Sequence, residues 1–196
     1  MGISTLLEGN DRFVNGKFAQ QKKEFEDLLK GQNPHTLVIS CCDSRTAPEM
    51  VFSCEPGEIF VHRNIGNMAA PGDWNLGTVL EYGIRHLKIQ TIVINGHEKC
   101  GAMKALGTGG GEGDDFIPGW LTHSKAALER LEARIKKPGP GESMDAWLCE
   151  LEKENIRLQL EHLKTYPVVA EGLKSKNLEI FGLYWLMSTG KVEKIE

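Results

Sequence analysis

Thr91-Ile92-Val93-Ile94-Asn95-Gly96-His97-Glu98-Lys99-Cys100-Gly101 is an apolar, β-branched run that ends abruptly in two soft-metal ligands three residues apart. Such a run reads as a buried strand that delivers a site at its carboxyl end. The same grammar recurs upstream, where Thr36-Leu37-Val38-Ile39-Ser40 runs straight into Cys41-Cys42-Asp43-Ser44-Arg45. In open α/β sheets ligands gather beyond the carboxyl ends of parallel strands, so these two strands would bring Cys41 or Cys42 together with His97 and Cys100. Three protein ligands and one open position make a catalytic zinc site.

Outward from these strands the chain alternates strand and helix. Pro48 suits the first turn of a short helix near residues 47 to 53. Gly57 opens a second strand, Glu58-Ile59-Phe60-Val61-His62, which ends in the polar pair Arg63-Asn64. Asp73 is a candidate N-cap for a helix whose Leu76, Val79, Leu80, Ile84 and Leu87 would cover the sheet. The five glycines between Gly107 and Gly113, followed by acidic residues, predict an irregular surface loop. It is no phosphate loop, because no Gly-Lys-Ser/Thr follows. Helical patterns over about 119 to 136 and 142 to 165 are divided by Lys137-Pro138-Gly139-Pro140-Gly141. In the second, Trp147, Leu151 and Leu158 share one stripe while Ile156, Leu160 and Leu163 share another. A last strand runs from Leu178 to Leu186, and Ser188 to Lys191 reads as a turn. The expected fold is therefore a single α/β domain over residues 1–196, with a central, mostly parallel β-sheet flanked by helices. An N-terminal helical arm over about residues 1–30 is expected in two pieces, interrupted at Gly16, and suited to packing on the domain's exterior or on a second subunit.

A chain of 196 residues can bury a sizeable core, and its 40% hydrophobic and 26% charged residues are ordinary for a globular protein. A net charge of -4 offers no basic footprint for nucleic acid. No apolar run approaches the roughly 20 residues of a membrane helix, and the N-terminus lacks a signal-peptide layout, so a cytoplasmic protein without membrane partners is expected. Cys41, Cys42, Cys54, Cys100 and Cys149 are an odd number without disulfide-scaffold spacing, which suits thiols and metal binding in a reducing compartment. Cys54 and Cys149 read as packed thiols.

Taken together, Cys41-x-Asp43-Ser44-Arg45, Gly57-Glu58-x-Phe60-Val61-x-Arg63-Asn64 and Gly96-His97-x-x-Cys100-Gly101 resemble the β-class carbonic anhydrases. Glu81-Tyr82-Gly83, the span from Asn155-Ile156 to Tyr166-Pro167-Val168, and Gly182-Leu183-Tyr184 with Thr189-Gly190-Lys191 extend the resemblance over nearly the whole chain. It implies one Zn²⁺ per chain on Cys41, His97 and Cys100, with Asp43 and Arg45 as an ion-paired catalytic dyad beside the fourth position. Cys42 falls at a variable position. The implied reaction is hydration of CO₂ to bicarbonate and a proton by zinc-hydroxide attack, in a homodimer or higher oligomer whose N-terminal helices embrace the neighbour.

The chemistry of these side chains agrees. Two thiolates and a neutral imidazole leave a formally neutral zinc site whose water is less acidic than in an all-histidine site, so an acceptor such as Asp43, oriented by Arg45, is useful. Hydrolysis of COS or CS₂ on the same scaffold is the alternative enzyme reading. A noncatalytic structural zinc module is the other, and it would not need Asp43 and Arg45. Arg63 and Asn64 are expected to brace the loop after the second strand. Glu55 stands where plant-like members carry a substrate-contacting glutamine, and Val38 stands where members that close their site with bicarbonate carry a tryptophan. The resemblance thus implies an open site with Asp43 paired to Arg45. His62, His86, His123 and His162 receive no role.

Overall fold

The computed structural model describes residues 2–196, in two units divided between Asn33 and Pro34. In the first unit, helix α1 (Ile3–Phe13) widens into a π-helical turn at Val14–Phe18, and helix α2 (Lys22–Leu28) follows. The helix does not stop at Gly16. It breaks at Gln21, whose φ of -112° and ψ of 30° leave the helical region. A π turn brings positions five apart onto one face, and Phe13 and Phe18 meet there with ring centroids 6.0 Å apart; Phe25 joins them at 5.7 and 5.0 Å.

The second unit begins with strand β1 (Thr36–Cys41), followed by helix α3 (Pro48–Val51), strand β2 (Ile59–Asn64), helix α4 (Trp74–Glu81) and strand β3 (Thr91–His97). Helices α5 (Gly101–Thr108), α6 (Ile117–Leu121), α7 (Lys125–Glu132), α8 (Asp145–Leu163) and α9 (Pro167–Lys174) come next. Strands β4 (Glu179–Trp185) and β5 (Val192–Ile195) close the chain. The sheet order is β2-β1-β3-β4-β5, parallel except for the antiparallel edge strand β5. β1 and β3 sit side by side in the middle with Ser40 opposite Asn95, so their carboxyl ends emerge together. This arrangement is the mostly parallel α/β sheet expected from the alternating elements. Asp73 caps α4 as predicted, its Oδ1 accepting the Asn75 N–H at 2.9 Å.

The two stripes of α8 face two different apolar clusters. Ile156 and Leu163 join Leu37, Ile39, Ile92 and Ile94 on the sheet, while Trp147, Leu151 and Leu158 pack with Met68, Met103 and Leu131. Close approach to the sheet depends on missing side chains. A Cβ on Gly96 would lie 2.7 Å from Ile156 Cδ1, and one on Gly182 would lie 2.6 Å from Ile156 Cγ2.

Several elements differ from the sequence reading. The glycine-rich stretch is not irregular from its start: Gly107 belongs to α5 and is buried where a Cβ would lie 2.8 Å from Trp147 Cζ3. The loop begins at Gly109, whose φ of 75° ends the helix in the left-handed conformation. The helix expected over 119–136 starts at Ile117, passes through a 3-10 turn at Thr122–Ser124 and ends at Glu132. β2 extends to include Arg63 and Asn64. Helices α5 and α9 and the short strand β5 were not predicted. Among the described residues, no helix is long and apolar enough to cross a membrane.

Candidate metal centre

The carboxyl ends of β1 and β3 bring Cys41, His97 and Cys100 together, with one potential ligand atom from each lying within 4.8 Å of the others. This is the only such group of His, Cys, Asp and Glu among the described residues. All three are buried, at 4%, 1% and 2% exposure, whereas the rival Cys42 is exposed. The turn between His97 and Cys100 passes through Lys99 at a φ of 60°. That conformation costs a non-glycine residue about 1–2 kcal/mol, and it folds the chain back so that imidazole and thiol converge.

The imidazole is oriented by its far nitrogen. His97 Nδ1 lies 2.9 Å from the Glu98 carbonyl, to which only an N–H can donate. In the neutral ring Nε2 then carries the lone pair, and it is buried without a hydrogen-bond partner. Cys41 accepts the Gly66 N–H at 3.4 Å. Its pKa is pulled down to about 4 by the side chain of Cys100 foremost, with His97 and the Gly66 and Asp43 N–H groups acting the same way against burial. Cys100 is pushed up by its bond to Cys41 and by burial. Cys41 is thus the readier of the two thiols to ionise, and a bound cation would favour the ionised form of both. For His97, burial is the largest influence and lowers the pKa, but Cys41, the Glu98 carbonyl and Asp43 together outweigh it and raise it.

Asp43 and Arg45 form a fork-to-fork pair, with Nε donating to Oδ1 at 2.9 Å and Nη2 to Oδ2 at 2.6 Å. The Arg45 backbone N–H adds a third bond to Oδ1 at 3.0 Å. The Arg45 side chain holds the Asp43 carboxyl well below the usual carboxylate range. Arg45 Nη2 also donates to the Lys99 carbonyl at 3.1 Å, so the guanidinium ties the β1 loop to the β3 loop.

Arg63 acts elsewhere than expected. Its register opposite Ser40 carries the guanidinium alongside the end of β1, where Nε donates to Cys41 O at 2.9 Å and Nη2 to Asp43 O at 2.7 Å. It braces the loop after the first strand. Asn64 does brace the loop after the second, bonding both the N–H and the carbonyl of Met68 at 2.8 and 2.7 Å. Val38 is buried in β1, and Glu55 is exposed before β2. His86 stacks on Tyr82, His123 meets Trp120 edge-on and His162 bonds Gln159, so none of them joins the triad.

Sequence reasoning missed Glu152, whose buried carboxylate accepts the Cys100 N–H at 2.8 Å. The available signal was its place on α8 between the two apolar stripes, where a polar side chain cannot reach water.

A mostly parallel sheet whose central strands end in a buried cysteine–histidine cluster, with a clamped carboxylate at its rim, is an α/β scaffold with a site that could hold a divalent metal. The carbonic anhydrase family model matches residues 36–192. A carbonic anhydrase of Synechococcus elongatus is 35% identical over 195 residues, covering 97% of this chain and 70% of that protein. The solved β-carbonic anhydrase CcaA superposes with a TM-score of 0.91 at 30% identity, covering 99% of this chain and 95% of the other. A tetrameric β-carbonic anhydrase of Sordaria macrospora superposes with a TM-score of 0.87 at 28% identity over 98% and 95% of the two chains. The chain belongs to the β-class carbonic anhydrases, the enzymes that hydrate CO₂.

Proposed function

We propose that Cys41, His97 and Cys100 hold one zinc ion, and that the protein hydrates CO₂ reversibly to bicarbonate and a proton with Asp43 and Arg45 as its catalytic side chains. The observation that carries this reading is the buried gathering of Cys41, His97 and Cys100, one potential ligand atom of each within 4.8 Å of the others, with a carboxylate clamped beside them. Two thiolates and an imidazole are a donor set suited to zinc. When bound, zinc supplies the Lewis acid that acidifies the water adding to CO₂.

The chain's own residues set the geometry of that addition. Glu98 O engages His97 Nδ1, so that Nε2 would be the nitrogen offered to the metal. Asp43 is a poor base because Arg45 favours its ionised form, so it does not take the proton away. It serves as a fixed acceptor for the hydrogen of the attacking water, turning the oxygen lone pair toward the carbon. Arg45 limits where that acceptor can point, since both carboxylate oxygens are engaged. The proton then leaves to solvent or buffer.

The assembly is read as a homodimer or higher oligomer of single β-class domains, each with its helical arm of about residues 1–30 embracing a neighbour. Trp74 at 89% and Phe116 at 85% exposure supply apolar surface for such contacts, as do Ile3, Leu6, Leu7 and Leu29 on the arm. The tetramers of Sordaria macrospora are a precedent. Thiol ligands and the exposed Cys42 suit the reducing cytoplasm. Stopped-flow CO₂ hydration on metal-analysed protein tests the activity. Turnover with about one zinc per chain is expected. Activity on COS or CS₂ without CO₂ hydration, or bound zinc without turnover on any of them, would overturn the reading.

A further inference from the structure

Glu152, Asn155 and Gln159 occupy one face of α8, three and four residues apart, and all are buried, at 4%, 1% and 0% exposure. Each is spent on backbone or side-chain groups of the segments around the metal centre. Glu152 Oε1 accepts the Cys100 N–H at 2.8 Å, and its Oε2 accepts the Tyr184 hydroxyl from β4 at 2.6 Å. Asn155 Nδ2 donates to Gly66 O at 3.1 Å, while its Oδ1 accepts from Ser124 Oγ at 2.6 Å and Gln159 Nε2 at 2.9 Å. Gln159 Oε1 accepts the Ala69 N–H at 2.8 Å. The residue that Asn155 holds, Gly66, is the one whose N–H reaches Cys41 Sγ.

A single rigid helix therefore fixes the backbone of one cysteine directly and the amide donor of the other at one remove. An apolar stripe would pack α8 equally well. Buried polar groups cost stability unless every member is satisfied, and here they converge on the two loops that present thiolates.

We infer that Glu152, Asn155 and Gln159 are positioning residues of the metal centre, with Glu152 locating the Cys100 loop and the Asn155–Gln159 pair locating the Gly66 donor to Cys41. The inference rests on the zinc reading above. Glu152 acts through its acceptor oxygen rather than its charge, because the oxygen is what the Cys100 N–H requires.

The test measures the rate at which the zinc-loaded, full-length protein gives up metal to excess chelator, alongside urea unfolding of the metal-free form. Glu152→Ala leaves a buried N–H unpartnered beside a ligand and is expected to speed zinc release about ten- to a hundredfold. Glu152→Gln keeps an oxygen for Cys100 and is expected to release zinc close to the parent rate. Asn155→Asp is nearly isosteric but sets an oxygen against Gly66 O, and is expected to speed release about tenfold. Tyr184→Phe frees Glu152 Oε2 with little change of shape and should give a smaller acceleration. Leu158→Ala, on the apolar stripe, should lower stability without a comparable change in release. The inference is overturned if Glu152→Ala releases zinc at the parent rate, if Glu152→Gln is as fast as Glu152→Ala, or if Leu158→Ala matches Glu152→Ala at equal loss of stability. A parent protein that binds no zinc would overturn the metal reading itself. A zinc-loaded parent with variants that behave like it would sink only the positioning roles.

Discussion

The Asp43–Arg45 pair and the Cys41–His97–Cys100 triad share the rim of one sheet but are held by different kinds of contact. The pair is local: two residues apart, three hydrogen bonds, and an Arg45 side chain that is half exposed. The triad is nonlocal. Its candidate ligands come from the ends of two strands, and their positions are maintained by Glu98 within the same turn and by Gly66 and Glu152 from two further stretches of chain. Burial follows the same division, since the triad is enclosed while Arg45 faces solvent. On the proposed reading the metal would sit in the enclosed part and the catalytic carboxylate at the solvent-facing rim. Damage to the first should cost the metal, and damage to the second should cost only turnover.

The largest effect should come from the triad. Cys41→Ser is expected to strip zinc and reduce CO₂ hydration to background, because a serine hydroxyl is neither soft nor ionised at neutral pH. Cys42→Ser should leave metal content and rate unchanged and alter stability by no more than ~0.5 kcal/mol, as befits an exposed side chain. Metal analysis and stopped-flow assays on both variants check this. Equal zinc loss from the two would break the distinction between buried and exposed thiols.

The clamp comes next. Asp43→Asn is expected to keep zinc and lower kcat about a hundredfold, since the amide can turn a donor toward the attacking water. Arg45→Ala should act in the same direction by about tenfold, freeing the carboxylate and cutting the link to Lys99 O. Parent rates in both variants would make the pair structural.

This division also explains what the sequence made legible. The local part was open to inspection: β1 and β3 are continuous β-branched runs, and Asp43 and Arg45 sit beside a ligand in the chain. Helix α5 was hidden because Gly101 and Gly107 look like breakers, although Gly107 is small to admit Trp147. β5 is a four-residue edge strand with mostly exposed side chains, too short for an alternating pattern to declare itself. Pro167 at the first turn of α9, followed by buried Val168 and Val169, is the start signal for that helix. The supports of the triad were least visible, because Glu152, Asn155 and Gln159 look like a solvent face until two apolar stripes on either side enclose them.

Packing beneath the triad offers an intermediate test. Gly96→Ala would place a Cβ 2.7 and 2.8 Å from Ile156 Cδ1 and Cγ1, so α8 must retreat from β3 at a cost of about 1–3 kcal/mol. Urea unfolding should show that loss, and Ile156→Val on the same background should recover part of it by removing Cδ1. A neutral Gly96→Ala would mean that α8 is not seated against β3 as tightly as the triad requires.

The smallest effect concerns the loop that carries Gly66. His62 Nε2 lies 3.3 Å from Asn64 Nδ2, which can only donate, so the ring must be neutral at Nε2 for the bond to exist. Burial lowers the His62 pKa below its ordinary 6.5, with Asp73 offsetting part of the shift. Below about pH 6.5 the unfolded chain therefore binds a proton that the folded chain resists, and stability falls as pH falls. One such group contributes at most ~1.4 kcal/mol per pH unit. His62→Gln retains an acceptor for Asn64 and removes the titration. Its stability should decline less than the parent's between about pH 7.5 and about pH 5.5. His162, also lowered by burial, contributes the same sign in both proteins and cancels from the difference. Urea midpoints at the two pH values measure the contrast, and parallel declines would show that His62 titrates alike in the folded and unfolded chain. The same bond makes a prediction about the two parts of the site. Acid should loosen Asn64 and Met68 before it touches the Asp43–Arg45 clamp, whose carboxyl protonates far lower.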